Sequence, residues 1–423
     1  MNIFDQFVIP GTSNHILLIK YMLIISLMLF IPYAGMLLGG MFISSYFDKK
    51  GKREGNSLYT RFAKDVINKL TISESAKFGL GIVPALSIFF AYVQLLYSSN
   101  TVSLSMMALA VVIFFISLSF VYKYRETYKL ERMLSQINYT GSIGKYLLLI
   151  SLYILAGTMA LSASPDNWGK INNVMQLIFS WQSFFGFLTL LCISGLISGS
   201  AIIFFFFKWD GGLKDMPNDY SELVRKFAGN LTLISGTLFP LMILLSYLYL
   251  PYSTLSPLLF YYTIAVFAIS LILGSFILSI LKSNNTDAAT SVFMLIIVLI
   301  TLNIFKDQQA FATAVLPNTV KLTQLADNLE KESQNKLMQN TGINAESIYT
   351  QKCSACHKFD QKLVGPPYDQ VVPKYNGDVQ KLAEFILNPQ KIDPAYPPMP
   401  VQGLKKKEAT AMAQWLINKS EKK

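Results

Sequence analysis

Eight apolar runs, each long enough to cross a bilayer, constrain this 423-residue chain more than any other feature. They fall near 16–45, 78–97, 102–121, 146–163, 185–207, 230–250, 257–281 and 288–305. A spanning helix needs about 20 predominantly apolar residues. The first run is longer than a bilayer requires, so it is expected to tilt or protrude. Composition agrees. Only 14% of the residues are charged, against about 25% in ordinary soluble domains, and mean hydropathy is +0.40. The expectation is an all-α chain whose residues 1–305 form an eight-helix transmembrane bundle. Between the fourth and fifth runs, NWGKINNVMQLIFSWQS (167–183) suits an interfacial helix, because Trp168 and Trp181 favour the headgroup region.

The loops set the orientation. Connections 46–77, 122–145, 208–228 and 282–287 hold eight, five, four and one Lys/Arg, whereas the opposite side, with the N-terminal 14 residues, holds one, Lys170. Positive charge stays inside, so the N-terminus and everything after the eighth run are expected outside the cytoplasmic membrane. The net charge of +11 is therefore mostly topology and not a nucleic-acid footprint. The first run is far longer than the apolar core of a cleavable signal peptide. The partner read directly from these runs is the lipid bilayer.

Residues 342–423 are a different kind of sequence. They open with QKCSACHKFD (351–360), where Cys353, Cys356 and His357 form C-x-x-C-H, the attachment pattern of a c-type haem. The two thiols would bond the porphyrin vinyls and hold the His357 ring under the iron as fifth ligand. Haem c is attached on the outer side of bacterial cytoplasmic membranes, which is where the charge count independently places this motif. The alternatives are a redox pair or half a zinc site, and no second Cys/His pair exists to complete a zinc site. Asn344 is placed to cap a short helix, AESIYTQK, that carries the cysteines. LVGPPY (363–368) can turn a backbone carbonyl toward the other nitrogen of His357. Asp378–Leu387 reads as a helix. DPAYPPMPVQGL (393–404) sets Met399 between prolines, a stiff loop suited to a thioether sixth ligand. Met412 is a nearby rival within the last helix, KKKEATAMAQWLINK, whose Ala411, Trp415 and Ile417 face the core. Upstream, 306–341 is a polar linker. Val320, Leu322, Leu325 and Leu329 are spaced to share a helix face, which makes it a semi-rigid stalk or, alternatively, a flexible tether.

In order, C-S-A-C-H, V-G-P-P, Y-P-P-M-P and an aromatic in the last helix closely resemble class I cytochrome c of the short bacterial type. The resemblance covers about 80 residues. It implies that Pro366 supplies the carbonyl to His357, that Met399 is the distal ligand, and that the domain carries one covalent haem c.

The bundle is poor in chemistry by comparison. The chain has two histidines, His15 and His357. A quinol-oxidising cytochrome b that ligates two haems with four histidines is excluded by that count. No Asp, Glu or Arg falls inside the eight runs as bounded above, which argues against a proton pump or ion-coupled transporter. His15 and Lys20 lie near the outer end of the first run. Lys20 is expected to snorkel. His15 is either an interfacial histidine or a membrane haem b ligand. Cys192 reads as a buried, inert thiol. GMLLGGMF (35–42), GLGIVP (79–84) and GLISGS (195–200) offer small residues for close helix approach.

FGLGIVPALSIFFAYVQLLY, LYILAGTMALSASPDNW, the basic first loop and a histidine opening the first helix resemble subunit I of cytochrome bd-type oxidases. In that resemblance His15 sits where the family's first-helix haem ligand would. The family's fifth-helix histidine has no counterpart in SWQSFFGF, and its external quinol loop is reduced to PYSTLS (251–256). The third-helix carboxylates are also missing. Two functions remain open. One is an electron-transfer subunit of a respiratory membrane complex, partnered by other membrane subunits and a periplasmic redox protein. The other is a bd-like reductase fed by its own cytochrome c domain, with a haem b on His15.

Overall fold

A computed structural model of the chain describes residues 3–99, 101–129, 134–213, 216–248, 250–283, 286–340 and 343–420. The expected boundary at Thr341 and Gly342 lies outside these, as do Arg132 and Lys214 of the basic loops. The chain divides into two compact units, Met1–Ala326 and Asp327–Lys423. Among the described residues every regular element is helical.

Among the described residues, eight helices of the first unit are long and apolar enough to span a membrane: Ser13–Glu54, Glu74–Leu95, Ser103–Tyr128, Tyr139–Ser162, Trp181–Phe207, Asn218–Ser246, Pro257–Lys282 and Ala289–Ala314. They are spans one to eight, and each contains one of the eight apolar runs or most of it. This is a multi-pass membrane protein with the expected all-α bundle.

Several helices run on past their apolar stretches. Span one has 42 residues, about 63 Å at 1.5 Å per residue, roughly twice the hydrocarbon thickness. Beyond it, Ser57–Leu70 is an amphipathic helix rather than a loop. Asn56 Oδ1 accepts from the Leu58 N–H at 2.9 Å, and Phe62, Val66 and Leu70 are fully buried at one-turn spacing. The 167–183 segment is less helical than its tryptophans imply. It holds one short helix, Val174–Ile178, and Trp181 already begins span five. Asn173 and Ser180 each cap a new helix start there, which breaks the segment in two.

Span eight changes the reading of its own end. It continues through Lys306 and Asp307 to Ala314, so it includes charges that the apolar pattern assigned to the linker. Lys306 is 2% exposed. Its ammonium meets the Asp307 carboxylate at 3.0 Å and donates to Ser246 Oγ at 3.3 Å. The Asn303 amide donates to Asp307 at 3.0 Å. Hydropathy ends at the first charge, but a helix need not end there when the charge is paired. Arg225 in span six is similarly buried. Its guanidinium donates to the carbonyls of Ile280 and Leu281, at 3.1 and 3.0 Å, in the last turns of span seven, where a cation also complements the helix dipole.

Spans three and four, five and six, and seven and eight form packed pairs, and span one lies against spans two, four, five and eight. Small residues make the centre close. Ser194 Oγ donates to the Gly35 carbonyl at 2.8 Å, and Ser198 Oγ reaches the same oxygen at 3.3 Å. Between spans five and six, a β-carbon on Gly199 would lie 2.8 Å from the Ala228 carbonyl oxygen and 3.1 Å from the Thr232 nitrogen. Backbone cannot yield as a side chain can. The GMLLGGMF and GLISGS stretches are thus one continuous packing seam.

In the second unit, Ala345–Ile348 continues through a wider π turn, Tyr349–Cys353, and is followed by Tyr368–Val371, Val379–Leu387 and Lys406–Ser420. Asn344 and Asp378 cap their helices through side-chain oxygens, each accepting at 3.0 Å. Leu382, Ile386, Met412, Leu416 and Ile417 form the core.

Gly199→Val is expected to destabilise the bundle by about 1–3 kcal/mol, the usual cost of overpacking. Thermal unfolding of the detergent-solubilised protein measures this, and an unchanged Tm would show that the seam tolerates separation.

Candidate haem-binding site

The C-x-x-C-H residues lie where the π turn ends. The turn closes with the Ser354 N–H donating to the Tyr349 carbonyl at 2.8 Å. The N–H groups of Cys356 and His357 both donate to the Cys353 carbonyl, at 3.1 and 2.9 Å. This winding puts the two cysteines and the histidine on consecutive corners of one tight coil. Cys353 is buried, Cys356 is half-buried and neither is in a disulfide. Burial pushes the Cys353 thiol above its ordinary value, while the Tyr368 hydroxyl beside the sulfur offsets part of that shift. Burial also raises the Tyr368 hydroxyl well beyond the usual phenol range, so it stays a neutral hydrogen-bonding group.

The loop after the motif is sewn to it. The Gly365 N–H donates to the Cys356 carbonyl at 2.8 Å, and the Tyr368 N–H to the Lys358 carbonyl at 3.0 Å. Those two bonds bring the Pro366 carbonyl oxygen to 2.9 Å from His357 Nδ1. A carbonyl oxygen can only accept, so Nδ1 carries the proton and Nε2 is the nitrogen left for a metal.

Cys353, His357, Pro366 and Met399 line one cavity of about 770 Å³, a size within the range of cofactor sites. Tyr368, Leu382, Ile386, Met412 and Leu416 supply much of its apolar wall, and Lys374, Lys381 and Lys391 also border it. The chain therefore gathers the Cys353 thiol, one imidazole of fixed tautomer and a thioether around a porphyrin-sized apolar space, with the second thiol, Cys356, on the same coil. That donor set fits a haem, which supplies one-electron chemistry when bound. Met412, the rival thioether, also borders the cavity, but it is fully buried in the last helix.

His15 is not part of this group. It lies in the bundle unit, exposed in the first turn of span one, where its backbone N–H approaches the capping Thr12 hydroxyl at 3.5 Å. The bundle has its own cavity of about 130 Å³, bordered by Tyr92, Ser246, Asn303, Lys306, Gln308 and Phe311 among others. That is close to the volume that accepts one six-membered ring. Neither His15 nor any other histidine lines it.

Sequence reasoning passed over Gly365 and Tyr368. A β-carbon on Gly365 would stand 2.7 Å from both nitrogens of the His357 ring, so this position has room only for glycine. The Tyr368 ring stacks on that imidazole, with centroids 4.9 Å apart and planes inclined by 20°. Both residues sit in the quoted LVGPPY stretch, where the G-P pair signalled the turn but nothing signalled the contacts.

A single-haem domain of the covalent type is thus the class that this site defines. Residues 343–419 match the family described as cytochrome c. The chain is 36% identical over 76 residues to cytochrome c-551 of Pseudomonas denitrificans, covering 17% of this chain and 93% of that protein. It is 32% identical over 77 residues to cytochrome c2 of Rhodocyclus tenuis, covering 16% and 84%. Through this domain the chain belongs to the cytochrome c family, with the covalent haem c and electron transfer that membership implies. The chain also shares its fold with the bd oxidase of Geobacillus thermodenitrificans, with a TM-score of 0.50 at 13% identity over 72% of this chain and 87% of that one.

Gly365→Ala is expected to cut covalent haem per chain severalfold, because the new methyl group displaces the imidazole. Haem absorbance against protein mass in the purified protein reads this directly, and normal loading would mean that the loop moves aside.

Proposed function

We propose that this chain is the electron-transfer subunit of a respiratory membrane complex, with a single haem c that exchanges electrons at the outer face of the cytoplasmic membrane. The observation that carries the reading is the cavity where Cys353, His357, Pro366 and Met399 converge. In this reading Cys353 and Cys356 hold the haem covalently. His357 is the proximal ligand, oriented by Pro366, and Met399 is the distal ligand. The domains are a spanning bundle whose last span runs on to Ala314, a connecting segment beyond it and the haem domain over 342–423.

The outer placement is supported by the loop charges, since the basic connections all fall at one end of alternating spans. Docking is supported by the size of the membrane part. One helix would suffice as an anchor, and tethering alone already raises effective concentration to about millimolar for short linkers. Eight spans fit a chain that packs against other membrane subunits and receives or delivers electrons through a periplasmic redox protein.

The bd-oxidase fold keeps a second reading in view, a bd-like reductase with haem b on His15. It is the weaker of the two. His15 is exposed, and the bundle cavity is bordered by no histidine and is about 130 Å³ against about 770 Å³ for the haem-domain cavity.

Pyridine haemochrome spectra of the purified full-length protein are expected to give one haem c per chain and no noncovalent haem. Noncovalent haem that disappears in His15→Ala would replace the first reading with the second. Met399→Ala is expected to abolish the long-wavelength absorption of methionine-ligated ferric haem, and Met412→Leu to preserve it. The reverse pattern would transfer the distal role to Met412.

A further inference from the structure

The His357 ring is held by one backbone contact and one side chain. The Pro366 carbonyl fixes its tautomer, and Gly365 leaves the ring the space that a β-carbon would occupy. That hydrogen bond favours one orientation about the Cβ–Cγ bond, but a single acceptor tolerates a spread of ring angles. That torsion joins sp³ to sp² carbon and is intrinsically broad. Turning the ring bends that one hydrogen bond and also breaks a face-to-face contact.

Tyr368 supplies such a contact. Its ring lies nearly parallel to the imidazole, at a separation typical of favourable ring pairs. Tyr368 is itself immobilised. It is 7% exposed, its N–H is bonded to the Lys358 carbonyl, and its ring packs on Phe359 and Tyr349 at 5.4 and 6.2 Å. The aromatic cluster continues to Trp415, 5.1 Å from Tyr349 and 5.8 Å from Phe359. The imidazole therefore rests against a wall anchored on the terminal helix.

We propose that Tyr368 is a positioning residue that sets the rotational angle of the His357 imidazole and, through it, the ligand field and reduction potential of the bound haem iron. This rests on the assignment of His357 as the proximal ligand. The property needed is the flat ring, not the hydroxyl. Axial ligand orientation changes the energies of the iron orbitals that accept the electron, so the ring angle is one means of tuning this site.

Electron paramagnetic resonance of the ferric full-length protein in detergent tests this, because g-values of low-spin haem respond to the planes of the axial ligands. Tyr368→Phe is expected to keep the g-values and midpoint potential of the parent protein. Tyr368→Leu, at equal haem per chain, is expected to shift both. Phe359→Leu, which removes one of the rings that hold Tyr368, is expected to shift the g-values less than Tyr368→Leu does.

An unchanged Tyr368→Leu spectrum and potential overturn the proposal. So does an equal shift in Tyr368→Phe or in Phe359→Leu. Should Tyr368→Leu fail to load haem, Tyr368→Met fills the space with a flexible chain and decides on the same readouts. If both aliphatic variants fail, normal loading of Phe359→Leu supports the proposal and failed loading overturns it. Failure of the ligand assignment looks different. The parent protein would then show no low-spin histidine-ligated haem at all, whatever stands at 368.

Discussion

Hydrocarbon offers no water to a polar group, so each buried donor or acceptor in a membrane bundle must find its partner within the protein. The first unit depends on that constraint. It explains why the apolar runs are helices, and why the serines of span five turn their hydroxyls onto the Gly35 carbonyl of span one. It also explains how Arg225 and Lys306 can be buried. One closes the end of span seven with two carbonyl contacts. The other is surrounded by a carboxylate, a hydroxyl and the Tyr247 ring. Buried ion pairs contribute little net stability, because desolvation cancels much of the attraction. Their effect here is local. They allow span eight to continue past the point where its apolar pattern stops.

The second unit solves a different problem. A domain of this size buries too small a share of its surface for an ample core. Its largest apolar residues do not simply pack on one another. Leu382, Ile386, Met412 and Leu416 belong to the core and also line the cavity that holds His357 and Met399. Core and site are the same object, so a bound haem contributes apolar surface to folding as well as redox chemistry. The short helices at Ala345–Ile348 and Val379–Leu387 fit this arrangement. Neither is long enough to be stable alone in water, and each is capped by a side chain.

Much of this was legible in the sequence because its signals are local. A run of apolar residues predicts its own span, and C-x-x-C-H, G-P-P and P-M-P each predict a feature within a few residues of themselves. Asn344 and Asp378 were placed correctly as helix starts for the same reason. What the sequence concealed is relational. The face of Ser57–Leu70 carries buried residues at helical spacing, but its mixed charge made it look like a loop. Lys306 and Asp307 look like the end of a span unless Ser246, 60 residues earlier, is known to face them. Tyr368 is one of 22 tyrosines, and nothing in LVGPPY states that it lies flat against a histidine.

The fold of the bundle and the chemistry of the chain therefore have to be argued separately. At 13% identity the likeness to a bd oxidase concerns helix arrangement alone, and one fold can host unrelated functions. Redox chemistry needs ligands converging on a space large enough for a cofactor. Among the described residues, such convergence is seen in the second unit, where ligand-type side chains line a cavity about six times the volume of the one in the bundle. The bundle contributes something else, a set of long helices held together by small-residue seams. Its least buried span, Pro257–Lys282, has only 22% of its apolar window covered by the rest of the chain. Lipid can cover such a face, and so can another subunit. A chain whose electron carrier is a separate domain gains little from seven extra spans unless some of that surface is matched to a neighbour. That contrast between extensive packing surface and the one ligand cluster seen among the described residues is what supports the subunit reading proposed above.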